Sequence, residues 1–124
     1  MRGCKSVMKT IARSCVILFL LTTASFGQNA VEKGRKLYLS YGCAVCHGKD
    51  GHGNGINAKN FYPAPTNFYD FKNYHYGHEK QDIVYSVKNG VAQEGSTMPA
   101  YSHIPRAELE AIADYLISLQ QKEQ

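Results

Sequence analysis

The chain has little charge for its length: Asp, Glu, Lys and Arg make up 19% of 124 residues. That is too little for a chain held open by self-repulsion, so a collapsed globular unit is expected. Tryptophan is absent, which leaves nine Tyr and five Phe as the whole aromatic complement. No apolar run is long enough for a bilayer. The one candidate, Ser14 to about Ala24 (SCVILFLLTTA), is about half of the roughly 20 residues that a spanning helix needs. No segment alternates apolar and polar residues as a half-buried strand does, and no internal repeat is present, so neither pattern competes with a helical reading. No acid–base pair, nucleophile or substrate motif stands out, so the sequence does not argue for an enzyme acting on its own. The length allows one domain.

The formal charge of +4 is unevenly spread. Arg2, Lys5, Lys9 and Arg13 precede the apolar run, which ends in the small residues Ala24, Ser25 and Gly27. A basic start, a short apolar centre and a small-residue exit are the parts of a secretory signal. Residues 1–27 are therefore expected to be a cleaved signal peptide. Residues 28–124 are expected to form a single exported, periplasmic domain with no stable membrane span. Cys4 and Cys15 lie before or inside the apolar run, so neither follows its small-residue end as a lipid-modified cysteine would. Four of the 14 Lys and Arg fall in residues 1–27 and none of the 10 Asp and Glu do, so the remainder is formally neutral. Nucleic acid, which selects a basic footprint, is not an expected partner.

Three segments read as helices. Ala30 to Tyr41 (AVEKGRKLYLSY) sets Val31, Gly34, Tyr38 and Tyr41 on one face, with Asn29 as a cap and Gly42 as a stop. Lys80 to Asn89 groups Ile83, Val84 and Val87 and stops at Gly90; its start is weakly marked, since neither Gly77 nor His78 is a strong cap. Pro105 to about Gln120 repeats Leu109, Ile112, Ala113 and Leu116, with Pro105 suited to the first helical position. The charges of the first and last helices read as solvated faces. Residues 42–77, rich in Gly and carrying Pro63 and Pro65, show little periodicity. So long a loop, beside so thin a helical core, calls for something else to organise it.

Cys43-Ala44-Val45-Cys46-His47 supplies that organiser, because C-x-x-C-H is the spacing of a c-type haem attachment site. Two thiols about one turn apart can add across the vinyl groups at one porphyrin edge, and the adjacent imidazole is then held under the iron as proximal ligand. Three other readings fit less well. A thioredoxin-type redox pair needs a βαβ setting. A zinc site from Cys43, Cys46, His75 and His78 has spacing outside the usual range. A simple disulfide leaves His47 without a role.

The second axial ligand is expected to be Met98, the one methionine outside residues 1–27, in a Gly- and Pro-flanked loop. A thioether there raises the reduction potential relative to a second imidazole. His52, His75, His78 and His103 are the competitors. His52 is close behind His47 in sequence and would have difficulty crossing to the opposite haem face, and the other three read as solvated loop histidines.

These residues resemble a class I monohaem c-type cytochrome over about residues 30–120. The resemblance is carried by Cys43-Ala44-Val45-Cys46-His47-Gly48, Gly51-x-Gly53-x-Gly55, Pro63-x-Pro65-x-x-Phe68, Gly90, Thr97-Met98-Pro99-Ala100 and Ala113-x-Tyr115-Leu116. It implies an all-α cytochrome c fold: three main helices and long loops around one covalent haem c. The first and last helices would cross at Gly34 and Tyr38, and a proline carbonyl, from Pro63 or Pro65, would accept a hydrogen bond from His47. Asn54, Asn67 and Ile56 depart from residues frequent in related sequences. The function implied is one-electron transfer between redox partner proteins across an exposed haem edge, as a free shuttle or as a subunit of a larger oxidoreductase. A haem protein with an open axial site is the rival. Of the aromatic residues in Asn60 to Tyr76, some are expected against the haem and others at the surface, where they would serve partner docking or the propionates if they have a role.

Overall fold

Helix α1 starts earlier than its capping signals suggest. In the computed structural model, which describes residues 24–122, it runs over Ala24–Ser40, so Asn29 lies inside the helix with its side chain in solvent and caps nothing. A capping residue ends a helix only if the residues before it leave helical geometry, and none of residues 24–28 is a proline. Residues 1–23 of the expected signal peptide lie outside the described residues. At its other end α1 stops as expected: Tyr41 and Gly42 close onto Leu37 and Leu39, and Gly42 takes φ 77°.

The remaining elements are α2 (Ala44–His47), single 3₁₀ turns at Ala58–Asn60 and Phe71–Asn73, α3 (Lys80–Asn89), β1 (Val91–Gln93), β2 (Ser96–Met98) and α4 (Arg106–Gln120). Helix α3 has the expected limits. Its start is held by a pair that the sequence reading passed over, since the Asp82 carboxylate accepts the N–H of Glu79 at 3.3 Å in a capping box. Pro105 stands one residue outside α4, in extended geometry, and its carbonyl receives the N–H groups of Glu108 and Leu109 at 2.9 and 3.1 Å.

The two strands form an antiparallel hairpin, Val91 opposite Met98 and Gln93 opposite Ser96, turning at Glu94 and Gly95. The helical reading made no provision for it. Strands of three residues are too short for alternation to register as a pattern. The fold is nonetheless mostly helical.

Helices α1 and α4 cross at Gly34 and Tyr38, as the resemblance implied. A Cβ on Gly34 would overlap the Ala111 carbonyl and lie 2.9 Å from Tyr115 Cβ. One turn on, the Tyr38 ring meets Tyr115 edge-on at 5.4 Å. From α4, Leu109, Ile112, Ala113, Leu116 and Leu119 are buried against Tyr38 and against Ile83, Val84 and Val87 of α3. An ion pair, Lys80 Nζ to Asp114 Oδ1 at 2.8 Å, joins α3 to α4 beside that core.

Candidate functional site

Helix α2 is a single turn, and a helix that short leaves most of its carbonyls without intrahelical partners. The glycine-rich stretch that follows supplies them. The N–H groups of Gly53, Gly55 and Asn57 bond to the carbonyls of His47, Cys46 and Val45 at 2.8, 3.0 and 3.0 Å. This back-folding leaves no room for a side chain at Gly55, where a Cβ would overlap the Val45 carbonyl and come within 2.6 Å of the Cys46 carbonyl carbon. The loop that had no periodicity is thus ordered by backbone bonds to the C-x-x-C-H turn. From α1 the Tyr38 hydroxyl donates to the Gly48 carbonyl at 2.6 Å, pinning the residue after His47 to the core.

His47 is 8% exposed. Its Nδ1 lies 3.1 Å from the Thr66 carbonyl oxygen. A carbonyl only accepts, so Nδ1 carries the proton and Nε2 keeps its lone pair. Burial lowers the His47 pKa from its ordinary value, and the Thr66 bond opposes that shift in part, so the ring is neutral at neutral pH. Neither Pro63 nor Pro65 takes the acceptor role assigned to a proline. Pro65 directs its carbonyl at Gly53, where an added Cβ would overlap it, and the next carbonyl, that of Thr66, turns to His47. Phe68 covers one face of the imidazole, with centroids 4.6 Å apart and planes at 25°.

Cys43, Cys46 and His47 line a solvent-open cleft that also receives Phe68, Val87, Met98, Tyr101 and Leu116. The cleft gathers residues from α2, α3, β2, α4 and the loops. Met98 ends β2, half-buried, and the Tyr101 N–H holds the following loop to the Val87 carbonyl of α3 at 2.9 Å. Cys43 and Cys46 are not joined in a disulfide, and burial pushes the Cys43 thiol up to about 11. A flat apolar group anchored by two thioethers fits this arrangement, with an unprotonated imidazole nitrogen and a thioether in the same cleft.

The four competing histidines are dispersed. His52 stacks on Tyr69 at 4.2 Å, His78 packs on Phe71 at 5.2 Å, and His103 meets Tyr41 at 6.1 Å. His75 is an exposed loop histidine, as expected, and it also lines the cleft. The zinc set of Cys43, Cys46, His75 and His78 is split, since His78 does not reach the cleft lining. Among the aromatic residues of 60–76, Phe61, Phe68 and Tyr74 line the cleft, whereas Tyr62, Phe71 and Tyr76 are exposed. Thr66 and Tyr101 were not singled out from sequence. Thr66 acts through its backbone carbonyl, for which no residue type is a signal.

A family model described as cytochrome c matches residues 31–120, from the first helix to the end of the last. Among solved structures, a chain of the reducing HAO-like protein complex of Kuenenia stuttgartiensis superposes with a TM-score of 0.61 and 27% sequence identity, over 71% of this chain and 41% of that one. This chain therefore spans well under half of that neighbour's length. No curated protein matches.

Proposed function

Because this chain belongs to the cytochrome c family and so serves haem c electron transfer, we propose that it is an exported one-electron carrier in which Cys43 and Cys46 hold the haem by thioethers and His47 and Met98 are its axial ligands. The observation that carries this reading is the meeting, in one cleft, of all three chemical residues of the C-x-x-C-H turn with Met98. When bound, haem supplies the ferric–ferrous couple.

The chain's own residues do the rest. Thr66 holds the proton on Nδ1, which leaves Nε2 available as a donor and makes it more basic. Met98 contributes a neutral thioether, which favours the reduced state relative to a second imidazole. Val87, Leu116 and Phe68 keep the site largely apolar, so a change of one charge there is strongly felt. Residues 1–27 would act as the signal peptide and residues 28–124 as the periplasmic domain. No helix among the described residues is long and apolar enough to cross a membrane.

Visible spectra of the protein matured with haem c, compared with Met98→Ala, test the proposal. The expected result is covalent haem in both, a thioether-to-iron absorption band in the unaltered protein only, and rapid carbon monoxide binding in the variant only. Rapid carbon monoxide or cyanide binding by the unaltered protein, with no such band, would replace the carrier by a haem protein with an open axial site. A second reading, a subunit of a larger oxidoreductase, is favoured by one observation: the structural neighbour is a chain of a complex. Co-purification with a fixed partner at high salt would select it over a free shuttle among redox proteins.

A further inference from the structure

We propose that Phe68 is a positioning residue for His47: its ring fixes the plane of the imidazole and shields the Nδ1–H bond to Thr66 from water. The inference rests on His47 being the proximal ligand, as proposed above.

A single hydrogen bond at Nδ1 sets the direction of the imidazole but leaves it free to rock about that bond. A flat ring laid against its face removes this freedom, and Phe68 lies there at 4.6 Å and 25°. Phe68 is itself held at several points. Its N–H bonds to the Gly51 carbonyl at 2.8 Å, and its carbonyl accepts from the Tyr74 hydroxyl at 3.2 Å. Its ring meets Tyr38 at 6.2 Å and Tyr74 at 5.8 Å. A Cβ at Gly51 would lie 3.1 Å from Phe68 Cδ2 and 2.8 Å from Leu119 Cδ1, so there is little space for the ring to withdraw. Both stacked residues are more than nine-tenths buried, at 8% and 7% exposure, which keeps the Nδ1–H bond dry. The plane of an axial imidazole sets the direction in which its π orbital meets the iron d orbitals. A residue that fixes this plane therefore acts on the magnetic anisotropy of the ferric state as well as on stability.

The test uses the full chain with covalent haem, as Phe68→Leu, Phe68→Tyr and Ile112→Val, the last being a core change away from the cleft lining. Two quantities are read: exchange of the His47 Nδ1 proton by NMR in the ferrous protein, and the g values by electron paramagnetic resonance in the ferric protein. Phe68→Leu should speed the exchange by roughly tenfold or more and move the g values, with haem still covalent. Phe68→Tyr, which keeps the flat face, should leave both near the unaltered protein. Ile112→Val should lower stability and move neither.

Unchanged exchange and g values in Phe68→Leu, or equal changes in Ile112→Val, would reduce Phe68 to ordinary packing. Should Phe68→Leu fail to mature, the unaltered protein still decides, because its Nδ1 proton must exchange as slowly as the core amides of α4. Exchange as fast as exposed loop amides overturns the proposal. Spectra of the unaltered protein without an axial imidazole signature would instead sink the assignment of His47 on which it stands.

Discussion

Gly34 in α1 lies directly against the backbone of Ala111 in α4, and a Cβ placed on it would overlap the Ala111 carbonyl. In an exposed helix interior, Gly→Ala stabilises by roughly 0.5–1 kcal/mol. Here the sign is reversed, because the obstacle is backbone and cannot rotate away. Gly34→Ala should destabilise the haem-bound protein by about 1–3 kcal/mol, read as a lower denaturation midpoint. A rise in midpoint would mean that the two helices do not cross in contact.

Gly55 faces the same constraint at the site itself, against Val45 and Cys46. Gly55→Ala should push the returning loop off the C-x-x-C-H turn and break its bond to the Cys46 carbonyl. The expected outcome is a lower yield of covalently attached haem per polypeptide, measured by the alkaline pyridine haemochrome spectrum, and not only a lower stability. Full attachment in Gly55→Ala would show that the turn does not depend on this contact.

Tyr38→Phe keeps the ring that packs between α1 and α4 and deletes one hydroxyl. That hydroxyl donates to the buried Gly48 carbonyl at 2.6 Å, which also accepts the Gly51 N–H at 3.2 Å, so its removal leaves the carbonyl one partner and costs about 0.5–1.5 kcal/mol. Denaturant unfolding should show a reduced midpoint with an unchanged slope. An unchanged midpoint would imply that water replaces the phenol.

Alkaline pH should destabilise the fold through phenols it withdraws from water, Tyr38 buried and Tyr74 half-buried. Burial pushes Tyr74 up to about 12 from the ordinary 10.0, and it also raises Tyr38. A raised folded-state pKa means that the unfolded chain loses the proton first. The stabilisation is therefore complete below pH 10.0 and is lost as pH rises from there through about 12. Thermal unfolding followed between about pH 9 and about pH 12 should show this decline, and Tyr74→Phe should make it shallower. A flat profile across that window would contradict burial of these rings.

Much of this molecule was legible because the deciding features are local. The limits of α3 and the buried stripe Leu109, Ile112, Ala113 and Leu116 follow from helical periodicity, which a window of sequence contains in full. The C-x-x-C-H spacing is equally local. The start of α1 and the hairpin under Met98 were missed: Asn29 lies within the helix rather than capping it, and strands of three residues carry too little pattern. The capping box of Glu79 and Asp82 was not legible, since the usual signal is Ser, Thr, Asp or Asn at the cap with Glu or Gln three positions on, and Glu followed by Asp departs from it at both places.

By itself the sequence determined the helical class, the haem-type motif, the faces that pack and the small set of residues able to meet an iron. Only the tertiary structure decided that the carbonyl of Thr66, not of a proline, accepts the His47 hydrogen bond, that Phe68 covers its ring, and that His75 lines the cleft with His47 and Met98 while His52, His78 and His103 do not. The reason is physical. A backbone carbonyl is present at every residue and leaves no mark on the sequence, and the direction in which it points depends on contacts made by the chain many residues away.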